Sequence, residues 1–493
     1  MLAVYPQAAP SSDTIQLWIG VFDNAAPPQP RIDVQKMAGA RVELVQAWSP
    51  IRDDMADGAG RPINHRAIAR VFGLEAGASY ELTVTVGPHS RTLVVSTLPQ
   101  RLPGLPEGGF SIFLCSCYYQ PEDASGTLGN VISKITMRPQ LTLMMGDQVY
   151  GDLPLDVDWP RGMSMARILG EKYMRNFASR ALESGGLARV LQRAPVVCVA
   201  DDHEYWNNYP FGQVQLPNTW LQGGRDGWEA AARSLYEDYQ VGAGLKPGFA
   251  MRLDVEPLKM ILIDMRSDRD TGFQRLLSAQ ARAEFEAWGS DLLAARAQGR
   301  PAFGLLSSGQ ALFAAPTAES KRKLVDAEMS NWAEFDELIV PTLERLADAG
   351  IPVIYVTGDV HWGRVSQARS PLRDPQAMIH EVICSPSTLI GASTLGRAVE
   401  GFKGIFGKGQ RWPRHSQPAE VPDRLGASTR FELECKVGKE RDLGYRRQGD
   451  QVAMLTLWSA GGGIDFRVTY YEVSAQASAA NPERTPTYSM RNI

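Results

Sequence analysis

Read for the alternation of apolar and polar positions, the first hundred residues differ in texture from the rest of the chain. Residues 14–99 run as short alternating segments, TIQLWIGVF, ARVELVQAW, AIARVFGL, YELTVTV and RTLVVSTL, separated by Gly, Pro, Asn and Asp. A period of two broken by turn formers predicts half-buried strands, and this many in so short a stretch predict a small antiparallel β-sandwich of immunoglobulin or fibronectin type over residues 1–100. The next nine residues, RLPGLPEGG (101–109), hold two prolines and three glycines. Such a segment continues neither a helix nor a central strand and is expected to be a linker.

Beyond it the pattern changes to short, almost continuous apolar runs: FSIFLCSC, LTLMMGD, PVVCVADD, MILIDMR, AFGLLSS and IPVIYVTGD. Runs of this kind predict strands covered on both faces. Helical periodicity lies between them. AQARAEFEAWGSDLLAARAQG sets Phe285, Trp288 and Leu292 on one face, and NWAEFDELIVPTLERLADAG groups Phe335, Leu338 and Ile339 before stopping at Gly350. Strands alternating with helices predict a layered α/β domain over 110–475. AMLTLWSAGGGIDFRVTYYEV reads as a hairpin closing a sheet edge, and 476–493 as a loose C-terminal tail.

Composition narrows the function more than the fold. The 493 residues carry a net charge of -4, which leaves no basic footprint for nucleic acid or an anionic membrane. No run approaches the roughly 18 apolar residues needed to span a bilayer. The start, MLAVYPQAAPSSD, has neither a basic nor an apolar leader region, so a cytoplasmic location is expected, or a periplasmic or secreted one if an export signal has been removed. Five cysteines, three of them (Cys115, Cys117, Cys198) inside apolar runs, do not make a disulfide framework.

Three apolar runs end in carboxylates: Asp147 after LTLMMG, Asp201 and Asp202 after PVVCVA, and Asp359 after IPVIYVTG. The carboxyl ends of strands in an open α/β sheet form the ligand crevice, so these groups are expected to converge. With no Lys or Arg in the same motifs they would repel one another and be costly to desolvate, and a cation resolves this. His203 follows Asp202, and His361 lies two beyond Asp359, where an i, i+2 pair on extended chain offers two ligands to one site. Gly-Asp after a strand is by itself often only a turn. A chain with six histidines that places two of them within two residues of a strand-end aspartate points instead to a metal site. His65 and His89 fall in the sandwich, His380 in a strand-like context and His415 in a basic loop, all poorer candidates. From the residues alone, Cys115 and Cys117 compete as the thiol ligand.

As an ordered set, SC (116–117), GDQVY (146–150), DDHEYWNN (201–208), LIDMRSDR (262–269) and GDVH (358–361) resembles the alkaline phosphatase D, or PhoD-like, family of metallophosphoesterases. The N-terminal sandwich fits as well, so the resemblance covers nearly the whole chain. It implies a two-sheet αββα metallophosphoesterase domain. One departure is Ala200, where the family usually has Trp before DDHE.

The resemblance also implies roles. Asp147 takes the position of the carboxylate that bridges two metals, and Tyr150 that of the tyrosine which purple acid phosphatases place on ferric iron. Cys117 and His361 complete the iron shell, with Cys115 left to the core. Thiolate, phenolate and carboxylate together favour a trivalent ion. Asp147, Asp202, Asp359 and Asn208, chosen over Asn207 on the resemblance alone, form an oxygen shell for calcium, one ion or a pair, or for another divalent metal. His203 matches a histidine that acts on the phosphoryl or leaving group, and Asp201 positions a neighbour. Arg266 and Arg269 follow the strand MILID, where Arg266 is a candidate for binding phosphate oxygens and both also fit a salt-bridged scaffold. GFKGIFGKGQRWPRH (401–415) is a candidate lid or a solvated loop.

The function expected is hydrolysis of phosphate mono- or diesters of small molecules by a hydroxide held on the metals, with no phosphorylated or acylated enzyme. Two other classes are compatible with parts of the pattern. One is a non-catalytic metal-binding protein on the same fold; the other is an iron-dependent oxidoreductase, although the usual two-histidine, one-carboxylate triad is not evident.

Overall fold

The protein is described by a computed structural model, which covers all residues except 36, 38–39, 154–162, 179–185, 315, 370–378, 389–418, 423–428, 435–448 and 478–481. The candidate lid at 401–415 lies outside the described residues, as does His415.

The N-terminal strands are β1 (Leu2–Gln7), β2 (Ile15–Val21), β3 (Arg31–Val34), β4 (Arg41–Pro50), β5 (His65–Phe72), β6 (Ser79–Val86) and β7 (His89–Ser96). They form two antiparallel layers, β1-β2-β5-β4 and β3-β6-β7. Leu17, Ile19, Ala69 and Val71 of the first meet Leu82, Val84 and Val95 of the second in one buried core. Strand β1, outside the segments that alternation picked out, has a further consequence. It pairs in parallel with β10 (Val196–Val199) through Gln7 and Val196, so the N-terminal layer continues directly into the sheet of the following region.

That region contributes β8 (Phe110–Cys115), α1 (Thr127–Lys134), β9 (Leu141–Met145), α2 (Met165–Phe177), α3 (Leu187–Leu191), then β10, α4 (Gln222–Tyr239), β11 (Ala250–Val255), β12 (Leu258–Ile263), α5 (Ala279–Ala297), β13 (Phe303–Ser307), α6 (Val340–Asp348), β14 (Val353–Thr357), β15 (Arg364–Arg369) and β16 (Ile379–Ile383). Strands β17 (Ala419–Pro422) and β18 (Thr429–Glu434) lengthen one sheet edge. The hairpin β19 (Gln451–Ala460) and β20 (Gly463–Glu472) turns at Gly461 and Gly462, both in the left-handed region, and pairs with β8. β21 (Glu483–Arg484) and β22 (Tyr488–Met490) complete the order. One sheet runs β21-β20-β19-β8-β9-β10-β1-β2-β5-β4, with β22 also on β20, and the other β11-β12-β13-β14-β16-β15-β18-β17. No helix among the described residues is long and apolar enough to cross a membrane.

The two sheets pack face to face. On β12, Met260 and Leu262 join a core shared with Phe113, Leu143 and Val197 of the first sheet, while Ile261 and Ile263 pack with Phe285 and Trp288 of α5 and Leu343 of α6. Strands buried on both faces explain why their sequences are continuous rather than alternating. This is a mixed α/β architecture of two packed sheets with an antiparallel N-terminal layer.

The segment expected to be a loose tail is tied down instead. Glu483–Arg484 and Tyr488–Met490 pair with β20, and Arg491 binds Asp465 at 2.7 Å. Asn492 exchanges hydrogen bonds with the backbone of Ala302 at 2.8 and 3.1 Å. Its low hydrophobicity misleads because edge pairing draws on backbone groups that composition does not register.

The parallel strands β8, β9 and β10 of one sheet and β12, β13, β14 and β16 of the other bring their carboxyl ends together. Cys117, Asp147, Asp202 and Asp359 all lie within a few residues of those ends.

Candidate metal centre

Both Gly-Asp turns require glycine for steric reasons. A Cβ on Gly146, at φ +86, would stand 2.5 Å from Asp201 Cβ, and one on Gly358 would stand 2.4 Å from Ser116 Cβ and 2.5 Å from Met145 O. The strand ends are therefore pressed together without a side chain between them, and the aspartates that follow are delivered to one spot.

The backbone there is unusual. Eight described non-glycine residues have positive φ, and five of them are expected ligands: Cys117 (53), Asp147 (58), Asn208 (73), Asp359 (60) and His361 (56). Left-handed conformations of such residues cost of order 1–3 kcal/mol each and persist where the surroundings impose them, characteristically at functional sites.

The side chains converge accordingly. Ligand atoms of Cys117, Asp147 and His361 lie within 4.8 Å of one another, as do those of Asp147, Asp202 and His203 and those of Asp147, Asp201 and Asp359. Asp147 belongs to all three groups, the placement of a shared carboxylate. Cys117 Sγ stands 3.4 Å from Asp147 Oδ2 and receives the Ser385 hydroxyl at 3.1 Å. Tyr150 is buried, with its ring centroid 4.2 Å from that of His203. Asn208 donates its backbone N–H to Asp202 Oδ2 at 2.7 Å and its side-chain amide to Lys323 O at 3.1 Å. That second bond fixes the amide orientation and leaves Oδ1 buried with no hydrogen-bond partner. An orphaned amide oxygen beside a cluster of carboxylates is what a hard cation requires. Asp201 Oδ2 is orphaned in the same way.

Electrostatics agree with this fit. Burial first, and then Asp147, pushes the Cys117 thiol well above its ordinary value. Burial raises the Asp147 carboxyl well above its ordinary value, with His203 drawing it down and Asp202 adding to the rise. A bound cation would reverse this logic for both groups.

Four residues that the sequence left without a role support the site. Asp152 accepts His203 Nδ1 at 2.6 Å and Asn207 N at 3.0 Å. Burial would lower the His203 pKa, but Asp152, followed by Asp202 and Asp147, outweighs it and holds it well above the usual value. Glu204 accepts the backbone N–H of Asp147 (2.9 Å), Gln148 (2.6 Å) and Asp201 (2.9 Å), clamping both acidic turns; burial pushes its carboxyl up to about 7 against those bonds. Ser385 touches Cys117, and Asp326 joins Asp201 and Asp202 in a further acidic group. The second Gly-Asp of GDQVYGD and the last residue of DDHE were visible signals for Asp152 and Glu204. Nothing around TAESKRKLVDAE marked Asp326.

Arg266 does not serve as a phosphate ligand. It is 1 % exposed, and every donor is engaged: Nε and Nη2 on Asp201, Nη1 on Tyr209 O (3.1 Å) and Asp326 (2.8 Å), and Nη2 on Asp326 (3.2 Å) as well. With Asp201 and Asp326 held on one buried guanidinium, no donor faces a substrate, and Arg266 is scaffold. Arg269 is likewise buried, bonded to Met265 O and Gln310 and lying over the Trp332 ring at 4.5 Å. Cys115, Cys198 and Cys384 are buried free thiols, and His65, His89 and His380 lie outside the ligand groups.

No family model matches the chain, and no curated protein sequence does. Solved structures do. One described as PhoD superposes with a TM-score of 0.54 at 13% identity, over 99% of this chain and 92% of that one. A purple acid phosphatase isolated from yellow lupin (Lupinus luteus) seeds superposes with a TM-score of 0.53 at 9% identity, over 99% of this chain and 73% of that one. Across nearly its whole length, the chain therefore shares the fold of these two structures.

Proposed function

We propose that the protein is a metal-dependent hydrolase of phosphate esters. The observation that carries this reading is the position of Asp147, common to three ligand groups at the meeting point of two sheets, with the free Oδ1 of Asn208 nearby. A similar fold in a protein named as a phosphatase supports it.

Cys117, Tyr150 and His361 would hold one cation on one side of Asp147, and Asp202, Asn208 and Asp359 a second on the other. The donor sets differ. The first combines sulfur, phenol and imidazole and suits ferric iron, and the second is oxygen-only and suits calcium or another hard divalent ion. Bound cations would neutralise the carboxylates, polarise the ester phosphate and lower the pKa of water.

The remaining work falls to the chain. Asp152 holds His203 Nδ1, so Nε2 is the nitrogen left to pass a proton to the departing oxygen. Glu204 keeps the two acidic turns in register through its backbone hydrogen bonds. Cys117, buried beside Asp147, is a ligand and not a nucleophile in this reading.

The test is phosphate release and oxygen consumption measured on one purified sample of known metal content, with Asp147→Asn beside it. Phosphate release that falls together with metal occupancy in the variant supports the proposal. Near-native turnover of Asp147→Asn with full metal content would show that the bridge lies elsewhere, and oxygen consumption without phosphate release would favour iron redox chemistry.

A further inference from the structure

The chain that follows β16 is built onto the Ser-Cys motif. Strand β16 ends at Ile383, and the next residues, CSPST (384–388), run against residues 116–119. Ser116 donates its hydroxyl to Cys384 O at 2.9 Å, Ser387 N–H reaches Ser116 O at 2.8 Å, Thr388 N–H reaches Cys117 O at 3.2 Å, and Tyr119 N–H returns to Thr388 O at 3.3 Å. The far side of the segment is anchored to the β19–β20 hairpin. Gln451 donates its side-chain amide to Ser385 O at 2.8 Å and its backbone N–H to Pro386 O at 2.7 Å, and the Tyr470 hydroxyl donates to Ile383 O at 2.9 Å.

Within this frame one contact goes to sulfur. The Ser385 hydroxyl donates to Cys117 Sγ at 3.1 Å, and both side chains are fully buried. The backbone bonds already tether the segment, so this hydroxyl is not needed to hold it in place. A hydrogen bond donated to sulfur favours the thiolate over the thiol. Ser387, two residues on, offers a contrast: its hydroxyl reaches the backbone Cys117 O at 3.4 Å.

Resting on the reading of Cys117 as a metal ligand, we infer that Ser385 is a positioning residue that donates to the bound thiolate and limits how much charge the sulfur gives to the ion. A thiolate is the most electron-releasing donor in the proposed first shell. A lone pair held by the Ser385 O–H is less available to the ion, which then keeps more positive charge for water and for the ester phosphate. Hydrogen bonding to the sulfur is an established lever on metal–thiolate centres. The same bond fixes the direction in which Sγ faces Asp147.

The test reads the sulfur-to-metal charge-transfer band of the full chain loaded with cobalt(II), a probe that reports thiolate ligation whatever ion the protein carries natively. Cys117→Ser should abolish the band and so assign it. Ser385→Ala is expected to move it to longer wavelength, because a thiolate without its hydrogen bond gives up charge more readily. Ser387→Ala removes a hydroxyl from the same segment and should leave the band in place. In the unaltered protein the cobalt–sulfur stretch seen by resonance Raman should shift on transfer to deuterium oxide, a measurement that needs no variant. A band unmoved in Ser385→Ala, an equal shift in Ser387→Ala, or a stretch insensitive to deuterium oxide overturns the role of Ser385. No thiolate band in the unaltered protein removes Cys117 from the ligands and the role of Ser385 with it. A band that shifts as expected in a protein that hydrolyses no phosphate ester leaves Ser385 in its role and defeats the catalytic reading.

Discussion

Asp152 Oδ1 and His203 Nδ1 lie 2.6 Å apart, and Tyr150 covers the imidazole from one side. The pair fixes the tautomer and the direction of Nε2. Asp152 belongs to none of the candidate ligand groups, so Asp152→Asn is expected to leave metal content near normal and to lower turnover by ~10- to 100-fold. His203→Ala should cost ~10²- to 10⁴-fold, more on esters with poor leaving groups than on activated aryl phosphates. Metal analysis beside kinetics on two such esters decides the matter. Metal lost from His203→Ala would make the imidazole a ligand, which its distance to Asp147 and Asp202 permits. Equal rate losses on both esters would remove the proton-donor role.

Asn208 supplies a sharper probe of the second cation. Its Oδ1 has no protein partner, and in the proposed arrangement it belongs with Asp202 and Asp359 to the oxygen-only shell. Asn208→Ala is therefore expected to weaken one cation at least about tenfold and to spare the other. Asn208→Asp keeps an oxygen and tolerates the positive φ, so it should retain both ions despite losing the donor to Lys323 O. Elemental analysis after dialysis reads both variants, and a full complement in Asn208→Ala would rule the residue out as a ligand.

Much of this architecture could be read from the chain because burial on both faces leaves a direct trace. FSIFLCSC, LTLMMGD, PVVCVADD, MILIDMR, AFGLLSS and IPVIYVTGD all became strands, and the acidic residues at their ends do meet. Strand β1 escaped because LAVYPQ does not alternate and carries a proline. What recruits it is antiparallel pairing along its whole length to β2, joined by one parallel pair to β10 nearly two hundred residues away. Asp326 escaped for a related reason. A carboxylate in a loop announces nothing until Arg266 brings it beside Asp201. Pairing partners elsewhere in the chain, rather than local propensity, decide both cases.

Arg266 itself tests the distinction between scaffold and substrate binding. Removing a buried guanidinium that holds Asp201 and Asp326 leaves acidic charge uncompensated, a loss of about 3–5 kcal/mol. Arg266→Met is expected to lower the unfolding midpoint in urea by a corresponding amount. Unchanged stability with a raised KM would return the residue to the phosphate-binding role that its packing denies.

The identity of the first cation is open to a test by colour. Burial and Asp147 hold the Cys117 thiol well above its ordinary range, and burial, followed by Cys117 and Asp147, does the same for the Tyr150 phenol. A cation bound to both would draw both values down, and a thiolate beside a phenolate is the donor set that the proposed ferric ion would use. Ferric iron bound to thiolate and phenolate absorbs visible light by charge transfer from those ligands, so natively purified protein should be coloured. Cys117→Ser and Tyr150→Phe should each shift or weaken the band. Tyr150→Phe keeps the ring that lies against His203, so it separates loss of the phenolate from loss of packing. A colourless protein carrying stoichiometric zinc, with full activity, would defeat the ferric assignment and leave the oxygen-ligated ion as the one to identify.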